Sequence, residues 1–206
     1  MTDPVRIVAA GYDALGATYG EWRGSVEANP ALPWLEDLER TIPAGRVVDL
    51  GCAAGEPATR FMLERGRDVI GVDVSEAQLA LARLAFPPAA FVRADMTEFD
   101  LEPQSVAGVV ALFSMIHVPR QRLGPMFRRI RRWLIPGGAF LATFTASDNP
   151  GAIEDWLGTE MFFSGFAPQE TIGLLRDAGF TIARDEVITI REPEGEVSFQ
   201  WVLART

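Results

Sequence analysis

The sequence predicts an α/β protein: a mainly parallel sheet with crossover helices, closed by one reversed strand. Two observations carry this. From residue 46 to about residue 179, short apolar runs alternate with helical patterns, which is the arrangement that parallel strands need. After that the alternation stops. "FTIARDEVITI" and "EVSFQWVLAR" are separated only by "REPEG", too short for a crossover helix, so they should pair as an antiparallel hairpin.

Taken in order, the predicted strands are "RVVDLG", "DVIGVDV", "AAFVRAD", "VAGVVALFS" and "GAFLATFT". Helices fill the gaps at about 56–65, 75–85 and 125–134, and Ser75 is a natural N-cap for the second. "PGG" at 136–138 closes the third helix and turns the chain into the fifth strand. A further helix is expected at "APQETIGLLRDAG". Residues 1–45 lie outside the alternation and read as a helical arm packed on the sheet, whose Tyr12, Tyr19, Trp22 and Trp34 are placed to cover a pocket. The reading is one domain, 1–206, divided into the arm (1–45), a ligand-binding core (46–145), a long loop on the ligand side (146–167) and the last helix with its hairpin (168–206).

Composition narrows the function. A net charge of -9 disfavours nucleic acid and anionic membrane as partners, because neutralising phosphates takes surplus cations. All 19 basic residues are arginines, and several crowd into "PRQRLGPMFRRIRRWL". Met126, Phe127, Ile130, Trp133 and Leu134 recur there at helical spacing, so the arginines after Pro125 fall on the solvated side and an RNA-binding helix is the weaker reading. No apolar run nears the roughly 20 residues that span a bilayer, and the start "MTDPVR" is unlike a secretory signal. A cytoplasmic location is expected. The one cysteine, Cys52, fits a reducing compartment and reads as a small buried residue.

The chemistry begins at "VVDLGCAAGEPATRF". Asp49-x-Gly51-x-Ala53-x-Gly55 is a glycine turn between the first strand and its helix, the place where open parallel sheets bind ligands. It does not match the G-x-G-x-x-G of dinucleotide sites, and Asp49 and Glu56 carry negative charge where a pyrophosphate would need the positive helix end. The turn therefore favours a ligand of cationic or amino character. Asp73 ends the second strand, where an acid can accept hydrogen bonds from ribose hydroxyls, and Asp95 ends the third, where it can accept from an adenine amino group beside Met96. Three acids at successive strand ends describe a positively charged nucleoside.

The set "VVDLGCAAGEPATRF", "VIGVDVSEAQLALAR", "FVRADMTEF", "VVALFSMIHV" and "RIRRWLIPGGAFLATF" resembles the class I S-adenosylmethionine-dependent methyltransferases, especially small ones acting on small molecules. The resemblance is close over residues 46–145 and extends in pattern to the terminal hairpin. It implies a Rossmann-like seven-stranded sheet with helices on both faces and an antiparallel last strand. It also implies S-adenosylmethionine as cofactor, with S-adenosylhomocysteine as product. The loop Asp49, Gly51, Ala53, Gly55 would contact the methionine part, Asp73 with Val74 the ribose, and Asp95 with Met96 the adenine. Phe113, after the fourth strand, and Tyr19, in the arm, would line the same site. Ala53 stands where glycine is commoner in that family and would crowd the cofactor slightly.

Methyl transfer from a sulfonium needs alignment and the exclusion of water more than acid-base machinery, and the sequence shows no His/Cys cluster with metal spacing. A hydroxyl or ammonium acceptor must still lose a proton, and His117, the only histidine, is the candidate base; the alternative is a histidine that fixes its loop by bonding a carbonyl. For the acceptor, Tyr12 and Trp22 of the arm, Met115, and Phe162, Phe163 and Phe166 of the long loop are the candidate contacts. They suggest a small apolar or aromatic molecule methylated on O, N or activated C by a monomer or homodimer. Competing readings are a nicotinamide-dependent oxidoreductase, which shares the sheet and the ribose acid, and an adenosyl-ligand-binding protein without turnover.

Overall fold

The computed structural model describes residues 3–26 and 30–206. Of the sequence-predicted arm, residues 1–2 and 27–29 lie outside these.

The arm is helical as expected: α1 (Pro4–Leu15), α2 (Ala17–Ser25) and α3 (Ala31–Thr41). The core then runs β1 (Val47–Leu50), α4 (Ala58–Glu64), β2 (Val69–Asp73), α5 (Glu76–Ala85), β3 (Ala90–Arg93), β4 (Val106–Ala111), α6 (Arg120–Trp133) and β5 (Leu134–Thr145). After it come β6 (Asn149–Trp156), β7 (Thr159–Gly165), α7 (Pro168–Asp177), β8 (Thr181–Glu192) and β9 (Gly195–Arg205). One sheet takes seven strands in the order β3-β2-β1-β4-β5-β9-β8. The first five are parallel, and β9 runs antiparallel to both of its neighbours. The expected α/β class with its reversed last strand is therefore borne out. Strand order turns back between β1 and β4, and this is the crevice in which such sheets hold ligands.

Both faces of the sheet are covered, and the alternation of side chains assigns each residue to a face. On β5, Ala139 and Leu141 point into the layer built with α3 and α4, whereas Phe140, Ala142 and Phe144 point into the layer built with α6 and α7. Trp34 stacks against Trp201 in the first layer with ring centroids 5.8 Å apart. Trp34 is thus a core residue, not the pocket cover expected from the sequence. The reason is the α3 stripe of Trp34, Leu35 and Leu38, which all turn to the sheet and are fully buried. Truncating such a tryptophan to alanine costs about 3–5 kcal/mol.

Three other expectations need revision. The helix expected at 125–134 begins earlier, at Arg120, and holds Pro125 within it. An interior proline costs a helix roughly 3 kcal/mol, which the burial of Leu123, Met126, Phe127, Ile130 and Trp133 offsets. The arginines of α6 are only partly solvated. Arg129 donates to the carbonyls of Thr97 and Phe99, Arg131 to that of Gly179, and Arg132 to the Asp100 carboxylate. Finally, the stretch 146–167 is not a plain loop: β6 and β7 form a separate two-stranded antiparallel sheet. They turn at Leu157 and Gly158, whose φ values of 54° and 78° suit a two-residue hairpin. Most of β6 is exposed, so it lacks the apolar alternation that announces a strand. Among the described residues, no helix is long and apolar enough to cross a membrane.

Candidate active site

The glycine turn leaves β1 with its backbone in unusual conformations. Gly51, Ala53 and Gly55 have φ of 71°, 45° and 93°. At Gly51 only glycine fits, because a Cβ there would stand 2.3 Å from the Cβ of Ser114. That close approach lets the β1 turn sit directly against the end of β4, and Ser114 Oγ bonds the Leu50 carbonyl at 2.7 Å to hold it there. Ala53 adopts a positive φ without glycine's freedom, and its amide donates to Asp73 Oδ2 at 2.8 Å. The expected second helix forms with Ser75 as N-cap, its hydroxyl accepting from the Gln78 amide. Glu56 pairs with Arg60 at 2.6 Å on the exposed start of α4.

The three acids differ in their surroundings. Asp73 is buried at the end of β2; besides Ala53, the Ser75 amide donates to it at 2.9 Å. Burial raises its pKa, with these backbone N–H groups acting against the rise. Asp49 is buried beneath the turn and accepts a hydrogen bond from Thr59 Oγ1 at 2.7 Å. Loss of solvent pushes its carboxyl up to about 7. Asp95 accepts from the Thr97 amide at 2.8 Å and is approached by Arg122 at 3.3 Å.

His117 lies in a 3-10 turn, Met115–His117, after β4. Its Nδ1 is 2.8 Å from the Phe162 carbonyl, which only accepts, so Nδ1 carries the proton. Nε2 is then the acceptor, and the Tyr12 hydroxyl, 3.0 Å away, donates to it. Burial holds the His117 pKa down to about 4, so the ring is neutral. Burial also raises the hydroxyl pKa of both Tyr12 and Tyr19.

Two hollows meet at this pair. A narrow cleft of about 50 Å³ follows the strand ends and is lined by Gly51, Ala53, Asp73, Val74 and Met96 together with Val8 and Ser114. A wider cavity of about 300 Å³ lies on the other side, walled by Trp22, Trp156, Phe163 and Phe199, with Arg23, Glu154 and Glu192 among its charged residues. Tyr12, Tyr19, Phe113 and His117 line both. Phe113 is held at the junction in a left-handed conformation, φ 57°, by a 2.5 Å hydrogen bond from its amide to the buried Thr143 Oγ1.

Of the sequence-predicted residues, Tyr12, Tyr19, Trp22, Gly51, Ala53, Asp73, Val74, Met96, Phe113, His117 and Phe163 are thus brought together. Asp49, Gly55 and Asp95 do not line either hollow, and Gly55 packs on the Phe86 ring. Met115 is sealed in the core below, and Phe166 packs against that same layer under the Arg120 guanidinium. Phe162 lines neither hollow: its ring packs on Gly151 of β6, and its carbonyl meets His117. Cys52 is buried, as expected. The sequence reading missed Arg23, Glu192, Ser198 and Phe199, which come from α2 and the β8–β9 hairpin. Among the described residues, no group of three or more His, Cys, Asp or Glu is arranged to hold a metal ion.

Comparison with known proteins bears on the family and the fold. The family described as methyltransferase domain matches residues 47–138. Trans-aconitate 2-methyltransferase of Acidovorax sp. is 34% identical over 116 residues, covering 55% of this chain and 43% of that protein. The sterol 24-C-methyltransferase ERG6B of Gibberella zeae is 27% identical, over 69% of this chain and 36% of its own length. Residues 47–138 are thus similar to the methyltransferase domain family. The chain spans less than half the length of either relative. Its fold is shared with 1,6-didemethyltoxoflavin-N1-methyltransferase of Burkholderia thailandensis, solved with S-adenosylhomocysteine. The TM-score is 0.75 at 23% identity, covering 100% of this chain and 91% of that one.

Proposed function

We propose that the chain transfers a methyl group from S-adenosylmethionine to a nucleophilic O, N or activated C atom of a small, apolar or aromatic molecule. The observation that carries this reading is the junction of the cleft and the aromatic cavity, with Tyr12 and His117 standing where the two meet.

The residues of the cleft suit the cofactor chemically. Asp49 is a buried carboxylate with one neutral partner, a costly state that a nearby cationic ligand would relieve. Asp73 has each oxygen engaged by one backbone amide and keeps further acceptor capacity for ribose hydroxyls. Gly51, Ala53, Val74 and Met96 would frame the ligand, with Tyr19 and Phe113 at its methionine end; Gly55, Asp49 and Asp95 would act on it through the turn and the cleft wall. S-Adenosylmethionine, when bound, supplies a methyl group activated by its sulfonium.

The chain's own residues do the rest. Trp22, Trp156 and Phe163 exclude water from the acceptor, and Tyr12 orients it. His117, locked as the Nδ1–H tautomer, offers Nε2 to the proton that an acceptor hydroxyl or ammonium releases, directly or through the Tyr12 hydroxyl. We read the chain as one cytoplasmic domain without a nucleic-acid or membrane partner, acting as a monomer or homodimer. The oxidoreductase reading is disfavoured by Asp49 and Glu56 around a turn that lacks the dinucleotide pattern.

Calorimetric titration tests the cofactor. S-Adenosylmethionine and S-adenosylhomocysteine should release heat and NADH none; silence with both adenosyl compounds overturns the reading. A mass gain of one methyl on a member of an acceptor panel would establish turnover, which a binding protein would lack.

A further inference from the structure

The aromatic cavity contains a cation that has no ion-pair partner among the described residues. Arg23 lies on α2, and its guanidinium sits over the Phe113 ring with Cζ 3.7 Å from the ring centroid. Its Nη2 is buried and has no hydrogen-bond partner among the described residues. Other half-buried arginines are treated differently. Arg67 is forked onto Glu39 and bonds the Pro43 carbonyl, and Arg184, stacked on Trp34, pairs with Asp37 and Glu186. A desolvated guanidinium without an anion is costly, and acids outnumber arginines 28 to 19 in this chain, so partners were not scarce.

We infer that the cavity takes a planar aromatic acceptor bearing a carboxylate, and that Arg23 is the residue that anchors this carboxylate. The inference rests on the methyltransferase reading and names the substrate class of the same site. Stacking on Phe113 consumes the face of the guanidinium and leaves its edge, where the N–H donors lie in a plane, to meet a carboxylate with two parallel hydrogen bonds. Around it, Trp22, Trp156 and Phe199 offer ring faces and edges to a flat body, with Trp22 and Trp156 in edge contact at 5.0 Å. A volume of about 300 Å³ limits that body to one or two rings. Two acids share the lining. Glu154 sits on the exposed face of β6, and Glu192, at the end of β8, favours the Arg23 cation from a distance without forming an ion pair with it. The guanidinium is therefore free to receive an external carboxylate without first giving up an internal one. Phe113 also lines the cofactor cleft, so an acceptor held by Arg23 lies against the wall that separates it from the methyl donor.

The test uses the full chain and three probes of one shape: 2-naphthoate, its amide, and its aminomethyl analogue. Quenching of Trp22 and Trp156, which line the cavity, reports binding without turnover. Wild-type protein should bind the carboxylate at least tenfold more tightly than the amide, with the amine weakest. Arg23→Gln should abolish the preference and Arg23→Lys should keep part of it, while S-adenosylhomocysteine binding reports that each variant is folded. Equal affinity for carboxylate and amide in the wild type overturns the inference, as does a carboxylate preference that survives in Arg23→Gln. Tightest binding of the amine also overturns it and makes Glu192 the seat. If Arg23→Gln does not fold, the wild-type comparison and Arg23→Lys decide. Failure of the methyltransferase reading would show separately, as no binding of S-adenosylhomocysteine to wild-type protein whose probe preference is intact.

Discussion

The Tyr12 hydroxyl lies 3.0 Å from His117 Nε2, joining the arm to the turn after β4 across 105 residues of sequence. The Phe162 carbonyl on the opposite ring nitrogen fixes which end of the imidazole can receive a proton. If this pair handles the acceptor's proton, His117→Gln and Tyr12→Phe should each slow methyl transfer at least tenfold, within the ~10²–10⁴-fold usual for general bases, with little change in cofactor affinity. Because burial holds His117 near 4, wild-type turnover should show no limb from this group between about pH 5.5 and 8. Initial rates across that range check the point, and an unchanged rate in His117→Gln rejects the role.

Stability should carry opposed signatures from two buried groups. His117 titrates near 4 when folded and 6.5 when unfolded, so its contribution is full above 6.5 and is lost as pH falls toward 4, by on the order of 3 kcal/mol. Asp49 titrates near 7 when folded and 3.8 when unfolded, so its contribution is full below 3.8 and is lost as pH rises toward 7, by on the order of 4 kcal/mol. The two slopes largely cancel in the wild type. Urea melts from pH 4.5 to 7.5 should therefore separate the variants: relative to wild type, Asp49→Asn gains stability as pH rises and His117→Gln gains it as pH falls.

Gly51→Ala should be severe and Ala53→Gly mild. The first forces a Cβ to within 2.3 Å of Ser114 and into a positive φ, strain on the order of 1–3 kcal/mol before any clash. The second relieves the left-handed alanine at φ 45°, offset by the entropy of glycine, for a net change within about 1 kcal/mol. Calorimetry with S-adenosylhomocysteine should find at least a tenfold loss for Gly51→Ala and equal or tighter binding for Ala53→Gly.

Thr143→Val keeps the shape of a buried residue but removes the acceptor of the Phe113 amide. An unsatisfied buried N–H costs about 1–3 kcal/mol, which chemical denaturation should detect. Because Phe113 also carries the Arg23 guanidinium, quenching by 2-naphthoate should weaken as well.

The parts of this fold that were legible in the sequence are those with a local pattern. Strands buried on both faces read as continuous apolar runs, as "VAGVVA" of β4 does, and the short "REPEG" connection announced the hairpin. The glycine turn and the acid of β2 announced the cleft. The aromatic cavity was legible only in part: Tyr12, Trp22 and Phe163 were, but Arg23, Glu192 and Phe199 come from the arm and the terminal hairpin and meet only when the two pack together. Phe162 and Phe163 illustrate the same limit: once β7 is known to be a strand, its two-residue period sends them to opposite sides, one onto Gly151 of β6 and the other to the cavity. Read as loop residues, they look equivalent.

β9 is synthesised after every other strand of its sheet, yet it is inserted between β5 and β8, and Phe199 and Trp201 on it press edge-on against the Phe113 ring at 5.1 and 5.4 Å. A nascent chain that has emerged only through β8 therefore has an unpaired gap in its sheet and a partition without its backing. The partition between cleft and cavity is therefore completed only by that closing stave.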